Sequence, residues 1–167
     1  ESDLCADIQE AIEERLAVAG YANYETSAFA RTGRQCRHNL NYWHFGDYLG
    51  IGAGAHSKLT LHDRVLRQMR WKHPNAYLDK VGAGSPVHEE SEVPASQLPF
   101  EFLMNALRLA EGFHPALFEA RTGQQLGAIM PQLRAAEAEN LLTVGPERIA
   151  PTLKGRRFLN VLLERFL

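Results

Sequence analysis

Leu4, Ile8, Ile12 and Leu16 recur every four residues, with Asp7, Glu10, Glu13 and Arg15 set between them. Apolar positions at that spacing share one face of a helix, so an amphipathic helix is predicted over 4–16, closed by Gly20. Tyr21–Phe29 is rich in aromatic and β-branched residues and predicts a strand near Tyr24–Ser27. Ala30–Tyr48 has little periodicity, and loops that long inside a domain tend to be functional or disordered. Tyr48-Leu49-Gly50-Ile51-Gly52-Ala53 predicts a short buried strand ending in glycines, Arg67–Trp71 another strand, and Pro74–Val81 a short helix with proline at its start. Helix, strand, loop, strand is the rhythm of an α/β unit.

Gly82–Pro94, with its Gly-Ala-Gly-Ser-Pro run and the acids Glu89, Glu90 and Glu92, is taken as a domain boundary. Beyond it Leu98, Phe102, Leu107 and Leu109 mark a helix ending by Gly112, Pro115–Thr122 a short helix stopped at Gly123, and Leu126–Asn140 a third. Leu141–Val144, Gly145-Pro146-Glu147 and Arg148–Ala150 form a hairpin by their turn chemistry. Lys154–Leu167, carrying Phe158, Val161, Leu162 and Phe166, predicts a closing helix. Three helices, a hairpin and a last helix describe a winged-helix-like module. The expected organisation is thus an α/β segment over 1–88, a linker over 89–94 and the module over 95–167.

Composition narrows the class. Hydrophobic residues make up 45% and charged residues 23%, the profile of a globular rather than a disordered chain. No apolar run approaches the ~20 residues of a membrane helix. Cys5 and Cys36 are too few for a disulfide framework, so a reducing, cytoplasmic setting is expected. The opening at Glu1, without Met, suggests a piece of a longer protein.

The net charge of −2 conceals a division. Arg31–His73 holds eight basic residues against Asp47 and Asp63, a balance of +6, and the rest of the chain carries −8. Five of the seven histidines (His38, His44, His56, His62, His73) lie in the same stretch, interleaved with Tyr42, Trp43, Phe45, Tyr48 and Trp71. Rings that stack, cations that hold carboxylates or phosphates, and imidazoles that bind metal suit a flat anionic ligand. An ordinary solvated loop with buried aromatics has the same composition.

Three motifs carry candidate chemistry. Gly50-Ile51-Gly52-Ala53-Gly54-Ala55 fits G-x-G-x-x-G/A, but no helical segment follows and Asp63 comes too early for a dinucleotide fold. Its glycines still permit close backbone approach to a ligand. Cys36 beside His38 is a possible thiolate–imidazole pair, though no third group orients it. His38-Asn39-Leu40-Asn41-Tyr42-Trp43 sets a metal-capable imidazole among rings and near arginines able to pair with propionates. A hydrogen-bonded loop histidine is the plain alternative. Duplex binding through the wing is disfavoured, because the helix over 126–140 carries Glu137 and Glu139 beside Arg134, and no nucleic-acid partner is expected.

Tyr24–Ala30, Cys36–Trp43 and Gly46–Ser57, together with Pro99–Phe102 and Thr152–Gly155, closely resemble the radical S-adenosylmethionine family of oxygen-independent coproporphyrinogen III oxidase-like proteins, and within it the haem-chaperone branch. The resemblance runs nearly the whole length of this chain and covers only the C-terminal part of the family's. It implies the last units of an incomplete parallel β/α barrel, followed by a helical winged-helix-like domain. It implies haem binding through the H-N-x-x-Y residues His38, Asn39 and Tyr42, with His38 as the iron ligand and Arg37 pairing a propionate. It further implies a backbone contribution from Gly52, Ala55 and His56 to the S-adenosylmethionine site of the parent. The family's CxxxCxxC motif is absent, so the [4Fe–4S] cluster and reductive S-adenosylmethionine cleavage would belong to the full-length parent. Haem delivery to respiratory haem proteins, in the cytoplasm and with transient membrane association through partners, is the function implied. Oxidative decarboxylation of coproporphyrinogen propionates is the alternative, and a DNA-binding winged helix a third. A barrel lacking its first strands would expose an unpaired edge, so self-association is expected.

Overall fold

The computed structural model describes residues 2–167. The opening periodicity forms helix α1 (Ser2–Val18). Gly20, at φ +80°, turns the chain out of it. The helix does not bury its apolar face: Leu4, Ile8 and Ile12 are 63, 51 and 44% exposed. Its polar side is engaged instead, Glu10 pairing with Arg157 near the other end of the chain. The strand expected near 24–27 is a hairpin, β1 (Ala22–Glu25) and β2 (Ala28–Ala30), antiparallel and bulged between Asn23 and Glu25.

A seven-residue helix, α2 (Arg37–Trp43), occupies part of the unpatterned stretch. Next come β3 (His56–Thr60), β4 (Val65–Arg70), α3 (Pro74–Gly82) and β5 (Val87–Glu92). They form a sheet of order β3-β4-β5 in which both pairings are antiparallel. Three expectations are corrected here. Tyr48–Ala53 is not a strand, because Gly52 and Gly54 take φ of +110° and +71° and break the extension; Tyr48 alone keeps a bridge, to Lys58, and Ile51 is exposed. Parallel pairing does not occur among the described residues: the turn from β3 to β4 is too short for a parallel crossover, and β5 pairs antiparallel with β4 although α3 lies between them. Residues 89–92 of the expected linker lie within β5, where an exposed sheet edge accommodates Glu89, Glu90 and Glu92.

The remainder follows the predicted order more closely. Helix α4 (Leu98–Ala106) leads to α5 (Pro115–Thr122), which starts at its proline and ends at Gly123 with φ +69°. A 3-10 turn (Leu126–Ile129) precedes α6 (Met130–Ala138). Strands β6 (Leu142–Val144) and β7 (Ile149–Pro151) pair as a hairpin. The closing helix is broken into α7 (Leu153–Arg157), α8 (Leu159–Leu163) and a 3-10 turn (Glu164–Phe166), because Phe158 leaves the helical region at φ −114°, ψ 42°.

The core sits in this second half. Phe102 is fully buried and is met edge-on by Phe45, Phe113 and Phe118, with ring centroids 6.0, 4.9 and 5.3 Å away. Leu103, Leu107, Leu133, Leu142, Ile149 and Leu162 close around it. Among the described residues of the first half only Phe45 and Val65 join this cluster, with Val93 just past β5. These residues fasten α2 and the sheet to the helical half. Among the described residues no helix is long and apolar enough to cross a membrane.

Candidate functional site

The geometry of the His38 segment begins at its C-terminal end. Phe45, two residues past the end of α2, lies in the left-handed region at φ +52°, which is unusual for an aromatic residue. Burial of its ring against Phe102 holds it there, and its carbonyl accepts a 3.0 Å bond from the Lys58 ammonium. Gly46 follows where no side chain fits: an added Cβ would lie 2.1 Å from Asn41 Oδ1. The Asn41 amide donates to the Asp47 carbonyl at 2.9 Å. Lys58 is sealed from water and also donates to Asp47 Oδ1 and Thr60 Oγ1, both at 2.9 Å, over the Phe45 ring. Burial pushes the Lys58 amine down, against the pull of Asp47. Burial acts to raise the Asp47 carboxyl, but the hydrogen bonds from Lys58 and Thr60 prevail and hold it low.

On this base α2 presents the predicted motif. His38 and Tyr42, one turn apart, share a face, and their rings meet edge-on at 4.8 Å. Asn39 points elsewhere, its amide donating to the Tyr24 hydroxyl across 3.4 Å. Arg37, His38 and Cys36 are exposed, as are Arg31 and Arg34 upstream, and Arg31 lies over the Tyr21 ring. Cys36 is the residue before α2 and makes no side-chain cap. His44 is a different case: burial, then the charge of Arg121, lowers its pKa, so it is neutral at pH 7.

Behind Tyr42 stands Tyr48, with ring centroids 4.4 Å apart. The Tyr48 hydroxyl accepts from Arg67 Nη1 at 3.0 Å, and Arg67 Nη2 donates to Glu101 Oε2 on α4 at 2.5 Å. Burial raises the Tyr48 pKa above that of a free phenol, so the hydroxyl keeps its proton. No sequence signal joined these residues, since Arg67 and Glu101 are 34 positions apart. The Trp43 ring, stacked under the Arg108 guanidinium at 4.7 Å, was also not foreseen.

The glycine segment is a looped turn against the sheet. The Gly52 N–H donates to the Tyr77 hydroxyl at 3.1 Å, Gly54 N–H to the Trp71 carbonyl, and Ala55 N–H to the Gly52 carbonyl. The Ala55 carbonyl accepts from Arg70 N–H, and exposed His56 opens β3 opposite Met69. The structure therefore brings His38 and Tyr42 together, turns Asn39 toward β1, and fixes Gly52 and Ala55 to α3 and the sheet.

Among the described residues no three His, Cys, Asp or Glu side chains converge as a metal cluster. A single exposed imidazole suits a metal that brings its own equatorial ligands, as porphyrin iron does, and the neighbouring arginines suit its carboxylates. The exposed His38 imidazole and the Arg31, Arg34 and Arg37 guanidiniums thus have the donor types that a haem would need.

Residues 93–158 match the family described as the HemN C-terminal domain. Over its whole length the chain is 45% identical to heme chaperone HemW of Escherichia coli K12 and 44% identical to heme chaperone HemW of Haemophilus influenzae. It spans 43% of the length of each of these relatives. The solved structure of Escherichia coli coproporphyrinogen III oxidase (HemN), a radical SAM enzyme, superposes with a TM-score of 0.65 at 17% identity, over 96% of this chain and 40% of that one. The mixed α/β fold is thus that of the HemN C-terminal region. On these matches residues 93–158 carry the HemN C-terminal domain, and over its whole length the chain is similar to a part, about two fifths, of the HemW proteins.

Proposed function

We propose that this chain supplies the haem-holding face of a HemW-type haem chaperone. The observation that carries it is the exposed His38 imidazole at the start of α2, packed edge-on by Tyr42 and preceded by Arg31, Arg34 and Arg37. Haem is the cargo. His38 ligates the iron, Arg37 and its upstream neighbours pair with the propionates, Tyr42 flanks the macrocycle, and Asn39 ties this turn of α2 to β1. Gly52, Ala55 and His56 form the backbone that faces S-adenosylmethionine in the full-length protein, where that cofactor and a [4Fe–4S] cluster supply radical chemistry. Residues 95–167 support the face through the Phe45–Phe102 contact. The recipients are respiratory haem-accepting proteins and the compartment is the cytoplasm.

Titration of the full-length protein with haemin should give a Soret band that is lost, or shifted to that of free haemin, in His38→Ala. An unchanged band in His38→Ala would overturn the assignment of the ligand. Conversion of coproporphyrinogen by the reconstituted protein would replace the chaperone reading with the oxidase one.

A further inference from the structure

We propose that Tyr48, Arg67 and Glu101 are positioning residues for the His38 imidazole, forming a relay through which the HemN C-terminal domain sets the geometry of haem ligation. The proposal rests on the reading of His38 as a haem ligand.

Helix α2 has seven residues, too few to hold its shape by its own hydrogen bonds, so its side chains take their direction from what lies behind them. The His38 ring is exposed and lies against Tyr42. Tyr42 is half-buried, and Tyr48 backs it. Tyr48 is fixed twice. Its backbone exchanges both N–H···O bonds with Lys58, each 3.0 Å, and its hydroxyl accepts from Arg67. One terminal nitrogen of Arg67 thus holds the phenol while the other holds the Glu101 carboxylate, so the planar fork spans the two halves of the molecule. Glu101 precedes Phe102 on α4, and Phe102 is the centre of the core. The line from core to imidazole therefore runs Glu101, Arg67, Tyr48, Tyr42, His38, and every link is a hydrogen bond or a ring contact.

The sheet does not need this ion pair to stay attached, because Val65 and Val93 already join it to the core. What the pair adds is direction. A metal-ligating histidine depends on neighbours that fix its ring, and losing such a neighbour typically costs about ten- to a hundredfold in metal affinity. Here the neighbour is a ring rather than the usual carboxylate, and the carboxylate stands three contacts further back.

The test uses the full-length HemW-type protein carrying this chain, with ¹³C-labelled histidine. In the haem-free protein the His38 ring resonance is displaced by the Tyr42 ring current. Tyr48→Ala should move it toward the free-histidine position and weaken haemin binding about tenfold. Tyr48→Phe, which keeps the ring contact to Tyr42 but cuts the hydroxyl link to Arg67, should move both in the same direction by less. Glu101→Gln, nearly isosteric and a safeguard should Tyr48→Ala fail to fold, should shift the same resonance the same way by less. The relay is overturned if Tyr48→Phe and Glu101→Gln leave the His38 resonance and haemin affinity at wild-type values, or if Tyr48→Ala does. Failure of the haem reading shows separately, as wild-type haemin binding in His38→Ala, and the haem-free resonance then still decides the relay.

Discussion

At the scale of single residues, the Lys58–Asp47 pair is lopsided. The lysine side chain is 2% exposed, whereas the Asp47 side chain is 41% exposed. Removing Asp47 leaves an ammonium in a closed setting with one carbonyl, one hydroxyl and the Phe45 ring for company. Removing Lys58 leaves a carboxylate that water reaches. We expect Asp47→Ala to destabilise the fold by about 3–5 kcal/mol, the range for a buried charge stripped of its partner. Lys58→Met should cost only about 1–3 kcal/mol, chiefly for the Phe45 carbonyl it strands. Urea denaturation of both variants checks the order, and equal losses would show that the ammonium is better solvated than its burial implies.

Among the secondary-structure elements, two glycines with nearly the same φ do different work. Gly123, at φ +69°, ends α5 in open space, with nothing within 4 Å of an added Cβ. Gly112, at φ +65°, follows α4 where the chain runs against β7, and a Cβ there would lie 2.0 Å from the Ile149 carbonyl oxygen. Both substitutions pay for the left-handed backbone, about 1–2 kcal/mol. Gly112→Ala must also displace β7, which pairs through Phe113 and Ile149 at 2.9 Å in each direction. Its total should reach about 2–5 kcal/mol. Equilibrium unfolding of the two alanine variants measures the difference, which is the contribution of the close approach alone.

For the molecule as a whole, the polarity of α1 is turned outward. Its charged side meets the end of the chain through Glu10 and Arg157, and its apolar side faces solvent at Leu4, Ile8 and Ile12. An apolar stripe in water is driven to find cover. The isolated chain should therefore associate with itself, giving a sedimentation coefficient that rises with concentration. Leu4→Glu combined with Ile8→Glu should abolish the rise without unfolding the helical half. A monomer at every concentration would show that the stripe is tolerated.

How much of this was legible in the sequence follows from the range of each interaction. The α1 periodicity, the proline start and glycine stop of α5 and the β6–β7 hairpin at Gly145-Pro146 are set by residues a few positions apart, and all are present, whereas the helix that puts His38 and Tyr42 one turn apart arises in a stretch without periodicity. Spacing along the chain fixes the first three because backbone geometry alone carries them. Only the tertiary structure decided that the sheet is antiparallel, that an acidic run of supposed linker becomes its edge, that Lys58 is the buried cation, and that His38 is backed by Tyr48, Arg67 and Glu101. A strand pattern states which residues share a face but not which neighbour lies beside it or in which direction. The Arg67–Glu101 pair joins positions 34 residues apart, and a contact of that range exists only once the core around Phe102 has drawn both halves together.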